Sequence, residues 1–336
     1  MKAAVVQTDP SAPPVVVSDV PVPVPPPDWV LVRLRAAALN RLDAMMLARR
    51  EEESPGAIFG ADGAGEVVEV GATARDSGVG EGDSVIISPS LFWGPSEVAP
   101  GPDYEILGSP THGTHAEYVA VPVANVHPVP DHMGWAEAAA LPMAGVTAWR
   151  ALVTRGRLAA GETVVVGAAS SGVGTMAIQI AAASGARVIA VTSTEEKAKR
   201  ALSLGADTVV DRTTTDVAAY VTDVTDGGAD LALDPTGALW QPMVGGLRPG
   251  GRLAVVGQAA AATGSLRVQS VYWKQVDILG SSMGSPRDFS ALLGQVADRR
   301  WSPLVDSVHP LTGIAGAYAR LDSPERIGKV VIDPTA

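Results

Sequence analysis

The 336-residue chain contains no cysteine. That excludes disulfide crosslinks, thiolate nucleophiles and cysteine-held zinc in one step, and leaves the redox compartment unmarked. No run of about 18 or more apolar residues occurs, so no membrane-spanning helix is expected. The opening stretch Met1 to Gln7 meets Asp9 before an apolar signal core forms, which makes a cytoplasmic location the default expectation. Basic residues are the minority, 25 Lys and Arg against 36 Asp and Glu, for a formal charge of −11. So acidic a surface argues against nucleic acid or an anionic membrane as the main partner. A local basic pocket for a phosphorylated cofactor remains compatible with it.

The chain is 46% hydrophobic and 18% charged, a composition that buries large cores and does not describe a disordered chain. Its length suggests about two domains. Residues 10–27 carry eight prolines and read as an extended arm or hairpin that cannot be helix. Trp29 to Ala37 alternates as a strand does, and Asn40 to Arg50 has helical spacing. Glycine-punctuated β segments follow at Glu66–Val70 and Ser84–Ser88, so residues 1–88 read as mainly β. Residues 89–113 are rich in proline and glycine with weak periodicity, a long loop of the kind that is functional or disordered. Trp135 to Arg155 reads as helix interrupted near Pro142 and Gly145. From Thr163 onward strands and helices alternate, which predicts a parallel sheet with helices on both faces. The tail Lys329–Ile332 reads as a strand that completes the N-terminal β domain.

The strongest chemical signal is the run Val164-Val165-Val166-Gly167-Ala168-Ala169-Ser170-Ser171-Gly172-Val173-Gly174, placed after an apolar strand and before a helix. Small residues there allow a sharp turn, and Ser170, Ser171, Gly172, Val173 and Gly174 present backbone to a dinucleotide pyrophosphate at a helix N-terminus. A plain strand-turn-helix junction needing small residues is the alternative. The second strand of the unit ends in Val191-Thr192-Ser193-Thr194, where NAD sites place a carboxylate for the ribose. Hydroxyls at Ser193 and Thr194, with Lys197 a turn later and Arg212 after the third strand, suit a 2′-phosphate instead. That favours NADP(H), against which stand Glu195 and Glu196. Ordinary surface charge is the alternative for Lys197 and Arg212.

The motifs Ala38-Leu39-Asn40-Arg41-Leu42-Asp43, Gly60-Ala61-Asp62-Gly63-Ala64-Gly65-Glu66-Val67-Val68-Glu69-Val70-Gly71, Gly80-Glu81-Gly82-Asp83-Ser84-Val85, His115-Ala116-Glu117-Tyr118-Val119, Ala139-Ala140-Leu141-Pro142-Met143-Ala144-Gly145-Val146-Thr147-Ala148, Leu204-Gly205-Ala206-Asp207 and Gly328-Lys329-Val330-Val331 together resemble the medium-chain dehydrogenase/reductase superfamily, in its zinc-free quinone oxidoreductase-like branch. The likeness covers nearly the whole chain. It implies an α/β fold: a Rossmann doubly wound parallel sheet at 126–270 plus a GroES-like, mainly β catalytic domain built from 1–125 and 271–336, with a cleft between them. Where zinc-dependent members carry catalytic ligands, this chain carries Asn40, Ala61 with Asp62, and Met143, which are poor or null ligands for zinc. The expected metal content is none. His112 and His115 are three apart, but no third ligand converges on them in sequence.

The activity so implied is NADPH-dependent hydride transfer to a quinone or an α,β-unsaturated carbonyl compound without zinc. The alternatives are a zinc-type alcohol or aldehyde dehydrogenase with unusual ligands, and a non-catalytic NADPH-binding protein. Asn40 is expected to line the nicotinamide site and donate a hydrogen bond to the substrate oxygen. Asp43 is expected to orient the site, and Tyr104 or water to supply the proton. Thr147, Gly257, Met283 and Lys329 are expected near the cofactor, and Arg41 near its phosphates or at the surface. Phe92 and Trp93 read either as an apolar lid or as the loop's own small core. The resemblance also implies a homodimer, its edge fitted by the apolar run Val271–Leu279, with a small apolar or aromatic carbonyl compound as substrate.

Overall fold

The computed structural model describes residues 1–9, 11–50 and 56–336; Pro10 of the proline-rich arm lies outside them. The chain forms two compact units, Met1–Met143 with Ser285–Ala336, and Ala144–Gly284.

The first unit runs β1 (Lys2–Val6), β2 (Val15–Asp19), β3 (Trp29–Ala38), α1 (Arg41–Ala48), β4 (Asp62–Val70), β5 (Ser84–Ile87), β6 (Ser90–Leu91), β7 (Glu105–Ile106), β8 (Tyr118–Pro122), β9 (Val126–Pro128) and α2 (Trp135–Ala140). The unit boundary falls inside α3 (Pro142–Trp149). The second unit alternates β10 (Thr163–Val166), α4 (Gly172–Ala183), β11 (Arg187–Thr192), α5 (Glu195–Ser203), β12 (Thr208–Asp211), α6 (Val217–Val224), β13 (Ala229–Asp234), α7 (Trp240–Gly246), β14 (Leu247–Val255), α8 (Val268–Lys274) and β15 (Asp277–Gly280). The chain then returns to the first unit with α9 (Pro286–Arg299), β16 (Val305–Pro310), α10 (Ile314–Asp322) and β17 (Lys329–Asp333).

In the second unit the six strands are parallel, in the order β12-β11-β10-β13-β14-β15. The order reverses between β10 and β13, the switch point at which such sheets bind ligands beyond their strand ends. Val165, Ile189, Ala232 and Leu253 belong to the buried core beside Met243 and Val244 of α7, and each large apolar side chain so buried contributes about 1.5–3 kcal/mol. In the first unit a seven-stranded sheet has the order β16-β17-β3-β4-β5-β9, with β8 also paired to β3. Glycine at 65 is required by close approach, since a Cβ there would lie 2.1 Å from the Arg33 carbonyl oxygen across the β3–β4 ladder. β17 pairs antiparallel with β3 through Val331 opposite Ala38. The C-terminal tail therefore closes the N-terminal sheet, as the sequence reading expected.

Three expectations need correction. The units divide later than 125/126 and 270/271. β9 pairs with β5, and Ala138, Ala139 and Ala140 of α2 pack on Ala36, Ala38 and Ala64, so residues 126–143 belong to the sheet they cover. Residues 271–284 belong to the parallel sheet because β15 is its last strand. Gly145 does not break its helix; α3 runs through it and widens into a π turn at Arg150–Arg155, with buried Ala144, Val146 and Ala148 outweighing the weak helix propensity of glycine. The run Val271–Leu279 is not one strand. Lys274 Nζ donates to the carbonyls of Gly245 (2.7 Å) and Leu247 (2.8 Å) and Gln275 turns left-handed at φ 53°, ending α8 before β15 begins. Among the described residues no helix is long and apolar enough to cross a membrane.

Candidate active site

The chemistry-bearing side chains of the first unit gather where β3 hands over to α1. Asn40 holds extended backbone (φ −124°, ψ 160°) as the residue before the helix. Asp43, at the third helical position, reaches back and accepts from the Asn40 backbone N–H at 2.6 Å, satisfying one of the donors that a helix N-terminus leaves open. The Asn40 side chain also bonds away from the helix. Its Nδ2 donates to Asp62 Oδ2 at 2.9 Å, and its Oδ1 accepts from Lys329 Nζ at 2.6 Å. Lys329 Nζ also donates to Asp62 Oδ2 at 2.8 Å and to the Leu39 carbonyl at 2.9 Å. Asp62 Oδ1 accepts the Met143 backbone N–H at 2.8 Å, and the Asp62 carbonyl accepts from Thr114 Oγ1 at 2.7 Å.

Lys329 and Asp62 form an ion pair with side chains 2% and 0% exposed. Removing one partner of such a pair costs about 3–5 kcal/mol, because the other charge stays buried. Burial pushes the Asp43 carboxyl up to about 7, with the Asp62 charge adding to the rise and the backbone N–H groups of Asn40 and Gly60 and the Lys329 charge opposing it. Burial, helped by the Lys329 charge, drives His115 down to about 3. Its ring therefore stays neutral, packed edge-on to Tyr318 with centroids 6.0 Å apart. Burial and the Asp43 charge raise the Tyr318 phenol well above its ordinary value.

In the second unit the turn after β10 is tight and built from small residues. Ala168 adopts a left-handed φ of 45°, a strain of about 1–3 kcal/mol for a residue with a Cβ. Ser171 caps α4, its Oγ accepting from Gly174 N–H at 3.0 Å. The backbone N–H groups of Gly172 and Val173 are left at the helix N-terminus, where the macrodipole favours an anion. A Cβ at Gly174 would lie 2.3 Å from the Ala168 carbonyl oxygen, so only glycine lets this turn close. Thr192 ends β11 and its buried Oγ1 has no hydrogen-bond partner; neither has the buried Oγ of Ser281 after β15. Both hydroxyls lie at the ligand-binding ends of parallel strands. Arg212 N–H donates to the Thr192 carbonyl, bringing Thr192, Ser193, Lys197 and Arg212 to one corner. Glu195, one of the two carboxylates weighed against NADP, is paired to Lys199 at 2.7 Å. Gly257 follows β14, and buried Met283 follows β15 at a left-handed φ of 51°. Thr147 is buried on α3. These elements, an open helix N-terminus, a tight small-residue turn and orphaned hydroxyls at adjoining strand ends, fit a dinucleotide.

The structure gathers Asn40 and Asp43 in one unit and the cradle residues in the other, and it places several expected residues elsewhere. Tyr104 lines a recess with Leu42, Met46 and Arg49 beside α1. Its burial holds the phenol up at about 12. Trp93 is buried, edge-on to Tyr104, its Nε1 donating to the Ser96 carbonyl, so it is loop core and only Phe92 is exposed. Arg41 pairs with Asp322 and donates to the Leu321 carbonyl rather than facing a phosphate. Lys329 has all three ammonium protons committed to protein oxygens, so it is a buried member of the Asn40 cluster and not a cofactor ligand. His112 is exposed and His115 buried. The Lys329–Asp62 pair escaped sequence reading because 267 residues separate its members.

The model for the alcohol dehydrogenase GroES-like domain matches residues 26–131, and that for zinc-binding dehydrogenases matches residues 172–298. A solved NAD-dependent alcohol dehydrogenase superposes with a TM-score of 0.91 over 99% of each chain, at 38% identity. The chain belongs to the medium-chain dehydrogenase/reductase superfamily. It is thus an oxidoreductase of a superfamily that works with nicotinamide cofactors. Two relatives frame its chemistry. An NAD-dependent alcohol dehydrogenase of Sulfurisphaera tokodaii is 30% identical over 96% of this chain and 97% of its own. An NADPH-dependent alkenal/one oxidoreductase of Arabidopsis thaliana, chloroplastic, is 30% identical over 94% of this chain and 75% of its own.

The zinc named in one matched model has no fitting ligand set here. The three positions that the resemblance assigned to ligands do converge, but on one another. Asp62 is engaged by Met143, Asn40 and the Lys329 ammonium, Asn40 turns an N–H toward that carboxylate, and Met143 offers only a thioether. Among the described residues no group of three or more His, Asp or Glu is arranged to hold a metal ion.

Proposed function

We propose that this chain is an NADPH-dependent reductase that passes hydride to a quinone or an α,β-unsaturated carbonyl compound without zinc. The observation that carries the reading is the occupation of Asp62 by a resident ammonium. The carboxylate that a metal would need is taken by Lys329, and a neutral amide N–H of Asn40 is what remains at the edge of the cluster.

The bound cofactor supplies a hydride from its dihydronicotinamide. In conjugate reduction that hydride bonds to the β-carbon, the C=C π pair shifts to form an enolate, and the α-carbon then takes a proton from water. Charge spreads over the enolate, so the oxygen needs a hydrogen-bond donor rather than a metal. Asn40 Nδ2 supplies that donor. Asp43 fixes the Asn40 backbone, and Thr114 holds the Asp62 carbonyl. In the second unit Gly172 and Val173 amides hold the pyrophosphate, while Ser193, Lys197 and Arg212 hold the 2′-phosphate that distinguishes NADPH from NADH.

Alcohol oxidation is the second reading, favoured by relatives that are alcohol dehydrogenases. Asn40 weighs against it, since a neutral amide cannot take the proton that a hydroxyl must lose. Oxidation of NADPH and NADH against a panel of quinones, enones, enoyl thioesters and aldehydes separates the readings. Turnover confined to aldehydes refutes the proposal, and cofactor binding without turnover of any acceptor supports a non-catalytic role.

A homodimer is part of this reading. β15 is the open edge of its sheet, and beside it Val268, Tyr272 and Trp273 of α8 and Ile278 are exposed. So apolar an edge is a liability in a monomer.

A further inference from the structure

Lys329, Asp62 and Asn40 close a three-member ring: ammonium to amide oxygen, amide nitrogen to carboxylate, and ammonium to the same carboxylate oxygen. Counting donors shows what the ring leaves over. The ammonium has three protons, given to Leu39 O, Asn40 Oδ1 and Asp62 Oδ2. Asp62 accepts at both oxygens. The Asn40 amide oxygen is taken, and one of its two Nδ2 protons is taken. A flipped amide would set NH2 against ammonium and oxygen against carboxylate, so the ring admits one orientation. A single uncommitted N–H remains. Asn40 is also the member nearest solvent, 8% exposed against 2% for Lys329 and 0% for Asp62.

We infer that Lys329 and Asp62 are positioning residues that lock the Asn40 amide with one N–H left to donate to the oxygen of a reacting carbonyl compound. The inference rests on the reductase reading above. Neither Lys329 nor Asp62 touches the substrate; each acts through Asn40. The ammonium on Oδ1 draws electron density from the amide and strengthens its remaining N–H as a donor.

The test uses the full-length chain and two readouts. In 15N-labelled protein the Asn40 side-chain amide, assigned by its loss in Asn40→Ala, is expected to show two inequivalent protons, one protected from solvent exchange and one exchanging. The double variant Asp62→Asn/Lys329→Met removes the ring without leaving a lone buried charge. It is expected to keep NADPH affinity within about twofold and lose about 10–100-fold in kcat for an enone, the scale of a misplaced catalytic group. Its Asn40 amide protons are expected to exchange alike. Lys329→Arg is expected to restore part of kcat, since the cation returns. A folded double variant with unchanged kcat overturns the inference. So does a wild-type Asn40 amide whose two protons exchange equally, a result that decides the matter even where the double variant does not fold. Wild-type protein that turns over no enone or quinone while its Asn40 amide is locked refutes the reaction assigned, and leaves the lock standing as measured.

Discussion

Asp43 offers a sharp test of the buried cluster, because its acidity was set by packing. Folding moves the carboxyl from its ordinary 3.8 to about 7. The folded chain therefore keeps the Asp43 proton up to about pH 7, while the unfolded chain releases it near 3.8. Between those values the folded state binds more protons, so this contribution is fully present at low pH, falls as pH rises and levels off above about 7. At about 1.36 kcal/mol per pH unit, ionised Asp43 costs up to ~4 kcal/mol at neutral pH and above. Part of that loss is complete by pH 5.5, a practical lower limit given the pI near 4.9. About 2 kcal/mol falls between pH 5.5 and 8.5 by the same linkage relation. Asp43→Asn keeps an acceptor for the Asn40 N–H and removes the titration. Urea unfolding of wild type and variant at half-unit steps should show the variant gaining on wild type by about 2 kcal/mol over that range. That is about 1 M in midpoint at a slope near 2 kcal/mol per molar urea. Most of the gain should come below pH 7. Parallel pH profiles, or a wild type that gains on the variant as pH rises, would refute the assignment.

The other predictions address the cofactor half and the assembly. Gly174→Ala puts a Cβ 2.3 Å from the Ala168 carbonyl oxygen, so the turn must move, and NADPH affinity measured by fluorescence titration should fall about tenfold or more, equivalent to 1.4 kcal/mol. Lys197→Ala should weaken NADPH binding by about 1–3 kcal/mol, the scale of a lost charge-assisted bond, and leave NADH binding nearly unchanged; equal losses would remove Lys197 from the 2′-phosphate site. Trp273→Glu places a charge on the exposed face of α8 and should convert a dimer to a monomer in sedimentation, whereas a wild type already monomeric at micromolar concentration would end the dimer proposal.

Much of the fold was legible because each half repeats a period. Strand and helix alternation from Thr163 announced the parallel sheet, and Gly167 to Gly174 announced its ligand end. The C-terminal strand was legible from Lys329–Ile332 alone. What stayed hidden depends on tertiary contacts. Gly145 reads as a helix breaker until the burial of its neighbours is known, and Val271–Leu279 reads as one apolar edge until Lys274 is seen reaching the carbonyls of Gly245 and Leu247 at the end of α7. Asn40 and Asp43 were singled out from motif position, and the structure brings them together at the start of α1. The lock on Asn40 was not, since Asp62 read only as a failed metal ligand and Lys329 only as a distant cation.

Under the proposed function the Lys329–Asp62 pair occupies the carboxylate that a metal would need. The most direct measurement is the rate of NADPH oxidation by a conjugated enone, taken on protein dialysed against a strong chelator, with zinc content determined on the same sample. The account expects turnover undiminished at negligible zinc and no gain when zinc is added back. Activity that disappears on chelation and returns in proportion to bound zinc would contradict it.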